Sequence, residues 1–89
     1  ISLEADDSGF YPSGLVTLAK GTHVKLTFTV RTTNVYYGGL DVRSSTFNTQ
    51  SIKPGDSATV EFDATESFEF KSYWPLSGVP KATGHVTVQ

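Results

Sequence analysis

The stretch Ser67-Phe68-Glu69-Phe70-Lys71-Ser72-Tyr73-Trp74-Pro75-Leu76-Ser77-Gly78-Val79-Pro80-Lys81-Ala82-Thr83-Gly84-His85-Val86-Thr87-Val88-Gln89 decides the fold. It opens in strict alternation, with Phe68 and Phe70 on one face and Glu69 and Lys71 on the other, which is the period of a half-buried strand. A loop rich in proline and glycine follows, then a closing strand with Val86 and Val88 turned inward. The same register carries Ser72 onto the apolar face, where a hydroxyl is out of place. What Ser72 replaces is the question the rest of the chain has to answer.

Working back from there, the pattern stays that of short strands. Ala58, Val60 and Phe62 alternate inward after Lys53-Pro54-Gly55-Asp56, whose composition suits a type II turn. Val24, Leu26, Phe28 and Val30 form the clearest apolar face, opposed by Lys25, Thr27, Thr29 and Arg31. Thr32 to Gly39 is a polar loop carrying Tyr36 and Tyr37. Leu40 to Val42 reads as a brief strand, and Arg43 to Gln50 as a connection with one buried residue, Phe47. Ile1, Leu3 and Ala5 make a first strand, Asp6 to Gly9 a turn, Phe10 to Gly14 a bend, and Leu15 to Ala19 a second strand. No window has a helical period. The expectation is an all-β sandwich or small barrel of seven or eight strands, a single domain over residues 1–89.

At 89 residues the chain closes one core, and 37% hydrophobic content is too apolar for disorder. The formal charge of −2, with seven scattered basic residues, disfavours nucleic acid and an anionic membrane surface as partners. There is no cysteine, hence no disulfide, no thiolate ligand and no cysteine nucleophile. There is no methionine either, so a chain beginning at Ile1 reads as a processed protein or an excised domain. Neither Asn34 nor Asn48 lies in a glycosylation sequon.

Three segments together resemble the cupredoxins. They are Phe10-Tyr11-Pro12 through Phe28, Ile52 to Phe62, and the ending Gly84-His85-Val86-Thr87-Val88. The likeness is nearest to the copper domain of cytochrome oxidase subunit II and its small bacterial and archaeal relatives. It implies a Greek-key β-sandwich. In that family copper takes an imidazole from the loop after the long third strand, and a thiolate at the end of the penultimate strand. A second imidazole and a thioether come from the loop that follows. Laid on that pattern, the positions fall at Tyr37, Ser72, Val79 and Ala82, so every ligand is replaced. Neither loop contains a histidine. Four replacements point to a lineage that gave up the metal, and the expectation is no cofactor. An extracytoplasmic binding or structural module, free or membrane-anchored through a parent protein, is the function this implies. The alternative is a copper-handling or respiratory-oxidase accessory domain.

His23 and His85 alternate onto outer faces and read as solvated histidines rather than a metal pair. Glu4, Asp6 and Asp7 read as a solvated turn rather than a calcium loop. Ser72 and Ser77 have no histidine placed to activate them, and no enzyme is expected. The aromatic residues of two loops that the resemblance brings to the same end, Tyr36 and Tyr37 on one and Tyr73 and Trp74 on the other, carry the functional signal. They are expected either to fill the space of a copper centre or to contact a partner protein, a neighbouring domain or a carbohydrate. Tyr37 is assigned as filler and Trp74 as exposed anchor.

Overall fold

In a computed structural model describing residues 1–89, the alternating segments become nine strands with no helix between them. They are β1 (Ser2–Asp6), β2 (Gly9–Tyr11), β3 (Leu15–Leu18), β4 (His23–Val30), β5 (Leu40–Ser44), β6 (Asn48–Ile52), β7 (Ser57–Asp63), β8 (Phe68–Tyr73) and β9 (Pro80–Val88). Two sheets pack face to face, one in the order β2-β1-β4-β7 and the other β3-β9-β8-β5-β6. β1 runs parallel to β4 and β3 parallel to β9; the remaining neighbours are antiparallel. This is the all-β sandwich the alternation called for.

The strand count exceeds seven or eight because two short pieces lack a period-two signal. Gly9–Tyr11 is too short to show one. Asn48–Ile52, expected as part of a connection, is an outer strand of the larger sheet with only Ile52 buried. Gln50 there has φ of 59°, and a register shift between Asp41 and Arg43 breaks the alternation.

Val24, Leu26, Phe28 and Val30 are all buried along β4, as their spacing requires. Phe28 meets Phe10, Phe47 and Phe70 at centroid distances of 5.9, 5.8 and 5.7 Å. Such edge and tilted contacts add to area burial. Gly84, opposite Phe70 in the β8–β9 ladder, is buried beneath that ring: a Cβ there would lie 2.2 Å from Phe70 Cζ. Ser72 is 0% exposed, facing the interior as its register demands, and its Oγ accepts the Ala82 N–H at 3.1 Å. A buried hydroxyl is tolerable once it is paired.

The Asp6–Gly9 turn is where expected, but its carboxylates are not solvated. Asp6 is buried and accepts from the Ser8 and Gly9 amides and the Tyr11 hydroxyl. Burial pushes its pKa up, but the hydrogen bonds, Ser8 and Tyr11 foremost, outweigh it and hold the carboxyl below its ordinary value. The same bond holds the Tyr11 phenol above its own ordinary value.

Candidate functional site

One pole of the sandwich is built by the β4–β5 and β8–β9 loops, and both are tied to the turn between β1 and β2. Asp7 N–H donates to the Asn34 carbonyl at 2.9 Å, and Asn34 Nδ2 donates to Ser8 Oγ at 2.8 Å. Tyr36 N–H donates to Asp7 Oδ1 at 3.4 Å, and Trp74 Nε1–H donates to the same oxygen at 3.1 Å. One carboxylate oxygen thus joins loops that lie 29 and 67 residues away along the chain. Asp7 is expected from sequence to be part of a solvated turn and is instead this anchor. An acidic turn followed by serine and glycine carries no sign of which distant donor it will meet.

The rings stack on that anchor. Tyr36 lies 5.1 Å from Trp74 and 4.5 Å from Tyr37, centroid to centroid. One glycine makes room for the Tyr36 ring and the next for the close passage of the backbone. A Cβ on Gly38 would come within 2.5 Å of Tyr36 Cε2, and one on Gly39, at φ 85°, within 2.0 Å of the Ile52 carbonyl oxygen. The Tyr36 phenol is held above its ordinary pKa by its interaction with the Tyr37 hydroxyl and secondarily by desolvation. On the other loop, Ser72 pairs with Ala82 and Tyr73 with Pro80, leaving Lys81 as the extra residue of a bulge. The bulge re-aims its side chain, and Lys81 Nζ lies 4.3 Å over the Trp74 ring.

The two loops leave a groove of about 210 Å³ between Tyr36, Tyr37 and Gly38 on one side and Pro75 and Leu76 on the other, with Ser51 and Lys53 alongside. Tyr37 is 83% exposed and Leu76 95%. This reverses the expected roles. Trp74 is half-buried and hydrogen-bonded, because an indole N–H facing the interior needs an acceptor and Asp7 supplies it. Tyr37 is the exposed ring. Tyr73 stands apart from the other three, on the outer face of the larger sheet, with the Arg43 guanidinium 4.8 Å over its ring.

The positions assigned by resemblance divide similarly. Ser72 and Ala82 face one another across the β8–β9 ladder, Val79 closes the loop by accepting the Trp74 N–H, and Tyr37 points to solvent. The histidines do not meet: His23 begins β4 in one sheet and His85 lies on β9 in the other. His23 is clasped between Asp63, at 2.8 Å, and Glu61, at 3.2 Å; Asp63 first and Glu61 second raise its pKa above the ordinary value. His85 lies 4.0 Å from Glu69. Ser72 Oγ faces an amide, not an imidazole. Glu4 is engaged by Arg31 at 2.8 Å.

No protein family's sequence pattern matches this chain, and no curated protein does. Solved structures do match in shape. A reduced Cu(I) form of an amicyanin variant superposes with a TM-score of 0.70 at 14% identity, covering 100% of this chain and 81% of that one. A heme-copper terminal oxidase chain gives 0.72 at 13% identity, over 99% of this chain but only 63% of that chain, less than two thirds of its length. A purple cupredoxin from Nitrosopumilus maritimus gives 0.59 at 15% identity, with 99% and 98% covered. The fold is the cupredoxin fold.

That fold implies copper, and the side chains at this pole do not fit it. Its two loops offer phenols, an indole and an aliphatic tip, with no sulfur in the whole chain and no imidazole in either loop. Soft thiolate beside imidazole is what such a centre requires.

Proposed function

We propose that this domain is a metal-free cupredoxin-like binding or structural module of a larger extracytoplasmic or membrane-anchored protein, and that the aromatic pole is its contact surface. The observation that carries this reading is the contrast within one cluster: Tyr36 and Trp74 are braced through Asp7, while Tyr37 and Leu76 are left almost fully exposed above a groove. Rigid aromatic side chains presented at low entropic cost are the residues that dominate interface energetics. The groove is smaller than the roughly 300–1,000 Å³ of ordinary small-molecule sites, which favours receipt of a partner's side chain. Lys53 in its lining makes no ion pair, so a partner with a carboxylate at its rim fits best.

Site-specific photo-crosslinking in the cell that encodes the protein tests this. A photoreactive residue at position 37 should trap one protein or one neighbouring domain of the parent chain, and Leu76→Asp should abolish the product. Equal trapping from Thr17, on the far side of the larger sheet, would overturn the proposal. Copper titration supplies the second test, since a charge-transfer band or a saturable sub-micromolar site would refute the metal-free reading. Saturable quenching of Trp74 fluorescence by a sugar would replace the protein partner with a carbohydrate.

A further inference from the structure

The four outer strands of the two sheets differ in how they end their hydrogen-bonding rows. β2 is three residues long and ends against Pro12, β3 is four residues long, and β6 is broken by its bulge and by Gln50 at φ 59°. Short length, proline and bulges are the usual protections of a sheet edge. β7 has none of these three, and only the exposed carboxylates of Glu61 and Asp63 guard it: it is seven residues long, its register with β4 is unbroken from Ser57 to Asp63, and it pairs with nothing else. Ala58 and Val60 point inward yet stay only half-buried, while their partners Phe28 and Leu26 are fully buried.

The parity of the ladder says which groups are free. Val30 N–H donates to the Asp56 carbonyl and Ala64 N–H to the Thr22 carbonyl, bracketing the β4–β7 pair. Bonded and non-bonded pairs alternate in an antiparallel ladder. Ala58, Val60 and Phe62 therefore bond to β4, and Ser57, Thr59, Glu61 and Asp63 direct their amides and carbonyls to the open side. The side chains agree: Thr27 and Thr59 hydroxyls meet at 2.8 Å and Thr29 and Ser57 at 2.7 Å, the closer approach of non-bonded pairs.

We propose that a second copy of this chain pairs along that edge, antiparallel, about a two-fold axis through Val60. In this register the free groups of Thr59 and Glu61 meet those of Glu61 and Thr59 in the other copy, and Ser57 meets Asp63. Each carboxylate then faces a hydroxyl. Sliding by two residues one way sets Glu61 against Glu61, and sliding the other way removes Asp63 from the pairing, so charge and overlap select the same alignment. His23 holds both carboxylates over the outer face. The contact is isologous, uses up the edge, and closes at a dimer.

Sedimentation equilibrium of the 89-residue chain, with amide exchange followed by NMR, tests this. The expected result is a monomer–dimer equilibrium in which the Thr59 and Glu61 amides gain protection as concentration rises, while those of Ala58 and Val60 are protected throughout. Thr59→Pro removes an N–H that β4 does not use and should give a monomer; should that variant fail to fold, exchange in the unaltered chain decides alone. Val60→Cys, in a chain with no other cysteine, should oxidise to a covalent dimer. A monomer at concentrations up to about 1 mM would overturn the proposal. So would a dimer with the Thr59 and Glu61 amides unprotected, as would one lost on Tyr37→Ala, which would belong to the aromatic pole.

Discussion

The phenylalanine interior and the aromatic pole are built with similar ring spacings and held by different forces. Phe28 and Phe70 lie 5.7 Å apart between the sheets and Tyr36 and Trp74 lie 5.1 Å apart at the pole. Phe28 and Phe70 are wholly withdrawn from water, so hydrophobic burial itself closes the sandwich around them. The pole rings keep exposed faces and are positioned by hydrogen bonds to Asp7 and by Gly38, which leaves room for Tyr36. Ring contacts alone therefore do not tell a core from a surface. What distinguishes them is whether a polar anchor is needed to set the geometry.

The comparison can be broken first at the interior. Phe28→Ala should cost about 3–5 kcal/mol in denaturant unfolding, the range for a large ring removed from a closed core. A loss no larger than that at the pole would erase the distinction. Asp7→Ala should cost about 1–3 kcal/mol, since it leaves the half-buried Trp74 N–H without its acceptor, and should shift Trp74 emission to longer wavelength. Unchanged emission would mean that ring packing, not the carboxylate, positions the indole. The His23 clasp is expected to matter less, because it is exposed. Its folded pKa is raised, so its stabilising contribution is fully present below the unfolded pKa of about 6.5. It then fades as pH rises through the higher folded value. The melting-temperature gap between the parent chain and His23→Ala should be largest near pH 5.5 and vanish in alkaline buffer; a gap that widens with pH contradicts it. Tyr37→Ala should leave stability within about 0.5 kcal/mol, as for a surface side chain. A larger loss would return Tyr37 to the role of filler.

Strand β4 was fully legible, because four apolar residues at period two have one solution against a single core. Ser72 was equally legible: alternation from Phe68 and Phe70 forces it inward whatever it bonds to. β6 was not, since Ser, Thr, Asn and Gln at an edge with a bulge carry no alternation. The pole was half legible. Three of its rings were placed on two loops that the cupredoxin resemblance brings to one end, but Tyr73 was wrongly grouped with them, although its own alternation opposite Ser72 already sends it to the outer face.

By itself, then, the order of apolar and polar residues determined the all-β class and the inward faces of the alternating strands, and the lack of sulfur and of loop imidazole determined the chemical unfitness of the pole for copper, because each follows from local periodicity or from which atoms a side chain possesses. Tertiary structure alone decided that Asp7 reaches both loops, that Trp74 turns in and Tyr37 out, and that β7 is left with an open edge. Those outcomes depend on which strands become neighbours, and contacts across 29 or 67 residues leave no trace in the spacing of any one segment.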